Sequence, residues 1–174
     1  SYHVRRWLFR SISKKLGGKF KGCISGGAPL DLKVGEFINR IGIRVFEGYG
    51  LSEASPVVSM STQKHNKLGC VGRAIPGVEM KIDKETGELL VKGDNVMKGY
   101  YGQPELTSTV VGEDGWLHTG DIAEIDREGY LKITGRIKNM IVLSGGKKVF
   151  PEEVEAVLEK SDYITDACVV GTVR

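Results

Sequence analysis

The sequence predicts a mixed α/β protein in which a parallel α/β layer is followed by a β-rich, barrel-like portion. Three observations predict this fold: a strand–helix–strand pattern within residues 1–70, short alternating segments divided by turn residues from about Val71, and a strand–turn–helix pattern after about Met140. The composition, 40% hydrophobic and 27% charged over 174 residues, is ordinary for a globular chain.

The first portion, residues 1–70, contains two predicted helices and two predicted strands. Val4, Leu8, Ile12 and Leu16 recur at every fourth residue, which is typical of an amphipathic helix. The segments "FKGCIS" and "IRVFE" predict strands, and "DLKVGEFINRIG" between them predicts a helix that ends at Gly42, a C-terminal cap. Short connections in a strand–helix–strand unit favour a parallel strand pair. The apolar positions of this second helix are Val34, Phe37, Ile38 and Ile41.

The second portion, residues 71–137, has the pattern of antiparallel sheet. Apolar and polar residues alternate in "GVEMKID", "LLVKG", "AEID" and "LKITG", and turn sequences such as "KETGE" and "REGY" separate them. Such spacing predicts hairpins that form a distorted barrel or a packed pair of sheets.

The last portion, residues 138–174, changes pattern again. Met140 to Leu143 predict an apolar strand, "SGGKK" a turn, and Pro151 the start of a helix with two glutamates in its first turn, which suits the helix dipole. The segment "ACVVGTV" predicts a further strand at the end of the sequence. The predicted apolar face of the helix consists of Val154, Val157 and Leu158.

The distribution of charged residues and the positions of the cysteines indicate which classes of function are disfavoured. The net charge is +3, but seven lysines and arginines precede the first acid, Asp31, and acids outnumber bases in the remainder, so a nucleic-acid partner is disfavoured. Cys23, Cys70 and Cys168 lie far apart with no C-x-x-C pair, which predicts a reducing compartment and no structural metal. We expect a cytosolic location, because the sequence shows neither a signal-peptide pattern nor a membrane-length apolar run.

Several well-known catalytic and nucleotide-binding motifs are incomplete or absent in this sequence. The segment "EGYGLSE" follows the dinucleotide G-x-G-x-x-G pattern only until Glu53, and no G-x-x-x-x-G-K-[ST] loop is present. The segment "GCISG" is not the G-x-S-x-G nucleophile elbow, and His3, His65 and His118 lack catalytic or metal-ligand spacing. A hydrolase or a metalloenzyme is therefore disfavoured.

Two glycine-rich loops remain as ligand-site candidates: "SGGAP", Ser25 to Pro29, and "EGYGLSE", Glu47 to Glu53. Each follows a predicted parallel strand, and ligands of open α/β sheets bind at the carboxyl edge. Glycines there let a planar ring approach the backbone closely. Taken singly, either loop is more typical of an ordinary turn than of a ligand site.

Five segments in a fixed order resemble the signature segments of the adenylate-forming superfamily. They are "SGGAP", "EGYGLSEASP", "GELLVKGDNVMKGYYGQPELT", "DGWLHTGDIAEIDREGYLKITGR" and "IKNMIVLSGGKKVFPEEVE". The resemblance covers nearly all of the chain after about Lys19. Within the superfamily the chain is most similar to long-chain fatty acyl-CoA synthetases.

This resemblance implies a nucleotide site. Asp121 would accept hydrogen bonds from both ribose hydroxyls of ATP, and Arg136 would approach the same nucleotide. From the residues alone, a turn-capping aspartate and a surface ion pair are the alternatives. The implied adenine and nucleotide contacts are Gly27, Ala28, Pro29, Glu47, Gly48, Tyr49, Gly50 and Ser52, with Tyr49 stacked on the adenine ring.

The resemblance also implies catalytic and mobile parts. Ser52, where the superfamily usually has threonine, would reach the α-phosphate, and Glu53 would hold Mg²⁺. Lys138 falls at the hinge of the small domain, whereas Val142 stands where several relatives have a lysine. The loop that lines the CoA tunnel would contain Ser144, Gly145 and Gly146.

By resemblance, residues 1–137 are the C-terminal part of the large AMP-binding domain, and residues 138–174 begin the small α+β C-terminal domain. The superfamily's phosphate loop and adenylation lysine are not among the 174 residues, so we expect a central piece of a fatty acid–CoA ligase that is inactive alone and prone to self-association. The substrates implied are a fatty acid, ATP and CoA, with Mg²⁺. Two alternatives stay open: an acyl carrier protein as acceptor, and a non-catalytic module whose basic first helix docks on anionic membrane.

Overall fold

The computed structural model describes residues 9–143 and 145–171. Helix α1 spans Arg10–Lys15 and covers the later part of the predicted first helix, whereas Val4 and Leu8 lie outside the described residues. None of the helices described is long and apolar enough to cross a membrane.

A parallel strand–helix–strand unit opens the fold, as predicted. Strand β1 spans Gly22–Ser25, helix α2 spans Leu32–Arg40 and strand β2 spans Arg44–Gly50. The two strands pair in parallel, and Asp31 caps the helix by accepting a hydrogen bond from the Val34 amide at 3.0 Å. The carboxyl ends of β1 and β2 therefore meet at one sheet edge, where the two glycine-rich loops begin.

The first sheet is mixed rather than purely parallel. Strand β3, Val57–Met60, pairs antiparallel with β2, and the short strand β4, Arg73–Ala74, pairs with β3, giving the order β1-β2-β3-β4. A 3₁₀ helix, Ser52–Ala54, lies in the connection from β2 to β3. The chain thus turns back immediately after the second glycine-rich loop, which fixes that loop at both ends.

The second sheet is a four-stranded antiparallel meander in the order β5-β6-β7-β8, which confirms the predicted hairpins. Helix α3, Pro104–Val110, lies in the connection from β6 to β7 and has no counterpart in the sequence prediction. The strands are β5, Val78–Ile82; β6, Glu88–Gly93; β7, Leu117–Ile125; and β8, Leu131–Arg136.

The two sheets share one hydrophobic core. Val58 of β3 and Ala54 pack in the same buried cluster as Leu89, Leu117 and Leu131 of the meander, all with 0% exposure. The peptide that leads into β4 of the first sheet is also hydrogen-bonded to β8 of the meander: the Val71 amide donates to the Leu131 carbonyl at 2.8 Å, and the Leu131 amide donates to the Gly72 carbonyl at 2.9 Å. The position of one sheet therefore determines the position of the other.

The last portion forms a small hairpin and a helix. A 3₁₀ helix, Ile137–Asn139, leads into strands β9, Ile141–Val142, and β10, Lys148–Val149, and helix α4 spans Pro151–Leu158, as the proline predicted. A Cβ atom on Gly135 would come within 2.7 Å of the Phe150 ring, so this portion packs closely on β8.

The final predicted strand is wrong over the described residues. Ala167–Gly171 have no regular secondary structure, and the remaining residues, 172–174, lie outside the description. Two backbone amides of this segment pair with glutamate side chains in and just after α4 instead of a neighbouring strand: Val169 N donates to Glu155 Oε1 at 2.8 Å and Ala167 N to Glu159 Oε1 at 3.3 Å. An apolar, β-branched segment forms a strand only when a sheet edge is available to pair with it.

The predicted apolar helix faces are only partly buried. On α2, Val34 and Phe37 are 47% and 59% exposed, and Ile24 on the neighbouring strand β1 is 65% exposed. On α4, Val154, Val157 and Leu158 are also exposed. Within the described residues these faces cover little core, so α2 depends on its Asp31 cap and on one-sided packing, whereas α4 has no side-chain cap.

Gly72 provides a test of how tightly the peptide before β4 packs on β3, because this peptide also makes the backbone hydrogen bonds to β8. It has φ +85°, and a Cβ atom there would lie 1.9 Å from the Met60 carbonyl carbon, whereas Gly77, with φ +84°, has no atom within 4 Å of that position. We expect Gly77→Ala to cost about 1–2 kcal/mol of unfolding free energy through backbone strain alone. Gly72→Ala should cost at least about 2 kcal/mol more, because the backbone of β3 has to move.

Urea unfolding of the two variants beside the wild type measures this difference. Equal losses of stability in the two variants would mean that the contact between Gly72 and β3 is looser than the structure shows.

Candidate nucleotide site

The two glycine-rich loops lie side by side at the carboxyl edge of the first sheet. Ser25 and Glu47 form the last parallel pair of β1 and β2, and a Cβ atom on Gly26 would lie 3.1 Å from the Gly48 carbonyl oxygen. The "SGGAP" loop beyond is exposed and contains Gly27 at φ +84°. The edge thus offers accessible backbone with few side chains, and the proposed adenine contact of Gly27, Ala28 and Pro29 stays a prediction.

Asp121 is the centre of the polar cluster beside this edge. It lies on β7 opposite Arg136 of β8, and Arg136 Nε is 2.9 Å from Asp121 Oδ1. The Tyr49 hydroxyl, which comes from β2, donates to Asp121 Oδ2 at 2.5 Å. The structure therefore brings together Tyr49, Asp121 and Arg136, which are up to 87 residues apart in the sequence by their numbers.

The Asp121 carboxylate keeps capacity for a ligand. Asp121 is only 4% exposed, but the Arg136 side chain that covers it is 66% exposed. Each carboxylate oxygen has about two lone-pair sites, and Tyr49 and Arg136 occupy one site on each oxygen. Two acceptor sites on adjacent oxygens match the two adjacent hydroxyls of a ribose.

Tyr49 has a different contact from the ring stacking that the resemblance implied. Its hydroxyl is directed at Asp121, and burial raises the pKa of Tyr49 far above its ordinary value of 10.0, with further increases from the Asp121 hydrogen bond and charge. The phenol therefore remains a neutral donor throughout the physiological range. Stacking of the Tyr49 ring on adenine stays a prediction.

Glu53 and Ser52 lie on the 3₁₀ helix that follows β2. Glu53 Oε1 accepts a hydrogen bond from the Tyr100 hydroxyl at 2.8 Å, and the Glu53 carbonyl accepts one from the Met97 amide at 2.7 Å. The Glu53 hydrogen bond raises the pKa of Tyr100. The segment around Tyr100, to which the sequence assigned no role, thus fixes the carboxylate predicted to hold magnesium.

Asn95 fixes the same loop from the other side. Its Nδ2 atom donates to the carbonyls of Ala54 at 3.0 Å and Val57 at 2.9 Å. Between these two carbonyls, Ser55 adopts φ 53°, a left-handed conformation that is uncommon for a non-glycine residue. An asparagine side chain that bridges two carbonyls holds such a turn in place, and no local periodicity reveals it.

The metal-ligand set is limited to one carboxylate. Among the described residues no group of three or more His, Cys, Asp or Glu side chains could hold a metal ion. Magnesium in nucleotide sites is bound through one or two carboxylates together with substrate phosphates and water. Glu53 alone fits a magnesium ion that arrives with ATP, and does not fit a resident metal centre.

The remaining predicted site residues have separate positions. Glu47 is 5% exposed, and its carboxylate accepts a hydrogen bond from the Gly69 amide at 2.8 Å. Burial raises the pKa of Glu47, and the Gly69 hydrogen bond offsets part of that increase.

Lys138 lies in the 3₁₀ helix after β8. Gly145 and Gly146 lie in the exposed turn between β9 and β10, and Ser144 lies outside the described residues. The nucleotide, hinge and CoA-tunnel roles of these residues stay predictions.

The sequence missed a carboxylate that contacts the Asp121 turn. Glu88 is 7% exposed, and its Oε1 atom accepts a hydrogen bond from the Gly120 amide at 2.8 Å. His118, which the sequence set aside because of its spacing, lies with Nδ1 2.9 Å from Glu88 Oε2. The sequence contains one signal of this role: Glu88 stands directly before the apolar run "LLV". A glutamate is unusual at a position that a sheet buries.

Residues 4–101 match the protein family described as AMP-binding enzyme. Over 169 residues the chain is 41% identical to the long-chain-fatty-acid–CoA ligase FadD15 of Mycobacterium bovis, a match that covers 97% of this chain and 28% of that ligase. It is 37% identical to the chloroplastic long-chain-fatty-acid–[acyl-carrier-protein] ligase AEE15 of Arabidopsis thaliana, over 98% of this chain and 26% of that protein. The chain thus spans about a quarter of the length of these relatives.

Solved structures agree with the sequence matches. The O-succinylbenzoate coenzyme A synthetase MenE of Bacillus subtilis, in complex with AMP, superposes with a TM-score of 0.80 at 29% identity, over 95% of this chain and 37% of that chain. The same synthetase in complex with ATP and a magnesium ion gives a TM-score of 0.78 at 30% identity, over 94% of this chain and 38% of that one.

A mixed sheet joined to a curled antiparallel meander is thus the fold of part of an adenylate-forming enzyme, the class that converts ATP and a carboxylate to an acyl-adenylate. More particularly, the chain belongs to the AMP-binding enzyme family. The part of the chain that matches the family, residues 4–101, includes both glycine-rich loops. The predicted family and the predicted fold class are confirmed.

The raised pKa of Tyr49 predicts a loss of stability in alkali. Below pH 10 the phenol is neutral in both the folded and unfolded states, but above it the unfolded phenol ionises while the folded one keeps its proton. The free energy of unfolding should then fall by up to about 1.4 kcal/mol per pH unit from this residue. Tyr49→Phe should remove this part of the slope.

Denaturant unfolding between about pH 9 and 12, the range in which tyrosine ionises, gives the slope of the unfolding free energy against pH. The proteins compared are the wild type, Tyr49→Phe and the control Tyr101→Phe; the Tyr101 side chain is fully exposed. The control should keep the wild-type slope. A Tyr49→Phe slope equal to that of the wild type would contradict the assigned contact with Asp121.

Proposed function

We propose that this chain is the nucleotide-binding part of a long-chain fatty acid–CoA ligase. The observation that carries the proposal is the Asp121 carboxylate, which lies between the two sheets, is held by Tyr49 and Arg136, and keeps one acceptor site on each oxygen for a ribose. The 41% identity to a ligase of that name supports the choice of a fatty acid and CoA as substrates.

The proposed reaction has two steps. An oxygen of the fatty-acid carboxylate attacks the α-phosphorus of ATP, pyrophosphate leaves, and acyl-AMP forms. The CoA thiol then attacks the acyl carbon, AMP leaves, and the thiol proton passes to solvent. Both steps need the same adenosine held in place, so a site that fixes ribose and adenine serves the whole cycle.

Each site residue has a proposed task in this cycle. Asp121 binds the ribose hydroxyls, and Arg136 holds the Asp121 carboxylate in place and approaches the nucleotide. Ser52 donates to the α-phosphate, and Glu53 binds the magnesium ion of MgATP, which neutralises phosphate charge when bound. The adenine lies against the backbone of the two loops, with contacts from Gly27, Ala28, Pro29, Gly48, Tyr49 and Gly50.

The small C-terminal portion has a proposed role in the second step. Lys138 lies directly after β8, where a change of backbone angles would rotate the β9–β10 hairpin and α4 relative to the meander. The turn containing Gly145 and Gly146 would then line the passage for CoA. Hinges of this kind are a few residues at the end of an element.

The 174 residues alone are proposed to be inactive. They contain no Ser/Thr/Gly-rich phosphate loop that ends in Pro-Lys-Gly, so the triphosphate would lack its cradle of amide donors. The assays below therefore use a full-length ligase that contains this chain, of a length comparable to its relatives.

An acyl carrier protein is a second candidate for the acceptor. The 37% identity to an Arabidopsis acyl-carrier-protein ligase favours it, and the proposed tasks of Asp121, Ser52 and Glu53 do not depend on which acceptor enters. Product formation with CoA and with acyl carrier protein, compared in parallel from the same acyl-AMP, separates the two candidates.

Asp121→Asn tests the proposed ribose role with little change in shape. The amide can accept at its oxygen but lacks the charge and one acceptor, so the KM for ATP should rise about tenfold to a hundredfold, the equivalent of about 1.5–3 kcal/mol. The KM for fatty acid should change little. The measurement is fatty-acid-dependent pyrophosphate release.

Asp94→Asn is the matched control, because Asp94 is exposed. It should leave both KM values at their wild-type levels. An unchanged KM for ATP in Asp121→Asn would overturn the ribose role, and absence of fatty-acid-dependent pyrophosphate release in the wild type would overturn the proposed reaction.

A further inference from the structure

Asp121 lies in a bulge of strand β7. Glu88 of β6 pairs with Ile122 of β7, but two residues further along β6 the pair is with His118. Three residues of β7, 119–121, therefore face a single residue of β6. Bulges of this kind turn a side chain away from the direction that the regular strand would give it.

The backbone of the bulge is paired with side chains. The Gly120 amide donates to Glu88 Oε1 at 2.8 Å, and the Asp121 amide donates to Thr119 Oγ1 at 3.1 Å. The Thr119 hydroxyl in turn donates to the Leu89 carbonyl at 2.7 Å. Because a buried amide without a partner is costly, the Glu88 carboxylate stabilises this conformation of the bulge.

The conformation of the bulge is specific. Gly120 has φ +73°, a left-handed value that a regular strand does not adopt, immediately before Asp121. A shift of the Gly120 amide therefore rotates the Asp121 side chain relative to Tyr49 and Arg136. The Glu88 hydrogen bond is made at the residue where such a rotation would begin.

His118 holds the other oxygen of Glu88. The His118 side chain is 46% exposed, and its Nδ1 atom is 2.9 Å from Glu88 Oε2. The Glu88 oxygen accepts the hydrogen bond in the imidazole tautomer that has its proton on Nδ1. The imidazole thereby satisfies the oxygen that the bulge does not use and fixes the orientation of the carboxylate.

We propose that Glu88 is a positioning residue for the nucleotide site, with His118 as its support: Glu88 holds the Gly120 amide so that the Asp121 carboxylate faces the ribose. This rests on the proposed role of Asp121. Glu88 itself does not touch the nucleotide, and its effect reaches the ligand only through the bulge.

The test compares Glu88→Ala, Glu88→Gln and His118→Ala in the full-length ligase. Steady-state pyrophosphate release gives the KM values for ATP and fatty acid and kcat, and thermal unfolding gives stability. Glu88→Ala should raise the KM for ATP more than tenfold and leave the KM for fatty acid within about twofold. Glu88→Gln keeps an oxygen acceptor for Gly120 and should recover most of the affinity for ATP, and His118→Ala should fall between Glu88→Gln and Glu88→Ala.

Glu124→Gln is the control, because Glu124 is an exposed carboxylate on β7, the strand that contains His118 and Asp121, and it should match the wild type. If Glu88→Ala does not fold, Glu88→Gln and His118→Ala still decide the question through the ratio of the two KM values. Glu88 and His118 variants that lower the unfolding temperature but leave the KM for ATP unchanged, or raise both KM values equally, would overturn the proposal.

Asp121→Asn separates this inference from the proposed function. A raised KM for ATP in Asp121→Asn with unchanged values in the Glu88 and His118 variants would overturn the positioning role alone. An unchanged KM for ATP in Asp121→Asn would overturn the ribose role, and the positioning role with it.

Discussion

The contact of Asp121 with Tyr49 and Arg136 is the constraint on which the arrangement of the two sheets depends. Tyr49 belongs to the first sheet, whereas Asp121 and Arg136 belong to the meander, so the Tyr49 hydrogen bond joins the two sheets and the ion pair joins the adjacent strands β7 and β8. A carboxylate that is 4% exposed is costly to bury without partners. The two sheets therefore lie in the relative position that lets Tyr49 and Arg136 satisfy it.

This constraint also determines how the parts of the candidate nucleotide site are arranged. The glycine-rich loops come from the edge of the first sheet, and the acidic group comes from the meander, so neither sheet alone forms the site. Each loop has its own support: Asn95 and Tyr100 hold the 3₁₀ helix with Glu53, and Glu88 holds the bulge with Asp121. Since β6 begins at Glu88 and the segment that follows its end contains Asn95 and Tyr100, one stretch of chain supports both acidic groups.

The sequence predicted the parts of the fold that depend on local pattern. The βαβ unit and the meander follow from periodicity and turn residues, and Asp121 was identified because its segment resembles a family signature. Helix α3 was missed, since "PELTSTV" is short and rich in β-branched residues, and the strand at "ACVVGTV" was wrong because its amides pair with α4 carboxylates. The Tyr49–Asp121 contact spans 72 residues, a separation at which no pattern of single residues reports proximity.

The most direct measurement compares the binding of AMP and 2′,3′-dideoxy-AMP to the wild-type full-length ligase and to Asp121→Asn by calorimetric titration. If Asp121 binds the ribose diol, the wild type should prefer AMP by more than about tenfold. In Asp121→Asn most of that preference should disappear, because the loss of charge and the loss of the hydroxyls remove the same interaction. An equal preference for AMP in both proteins would contradict the assignment of this carboxylate to the ribose.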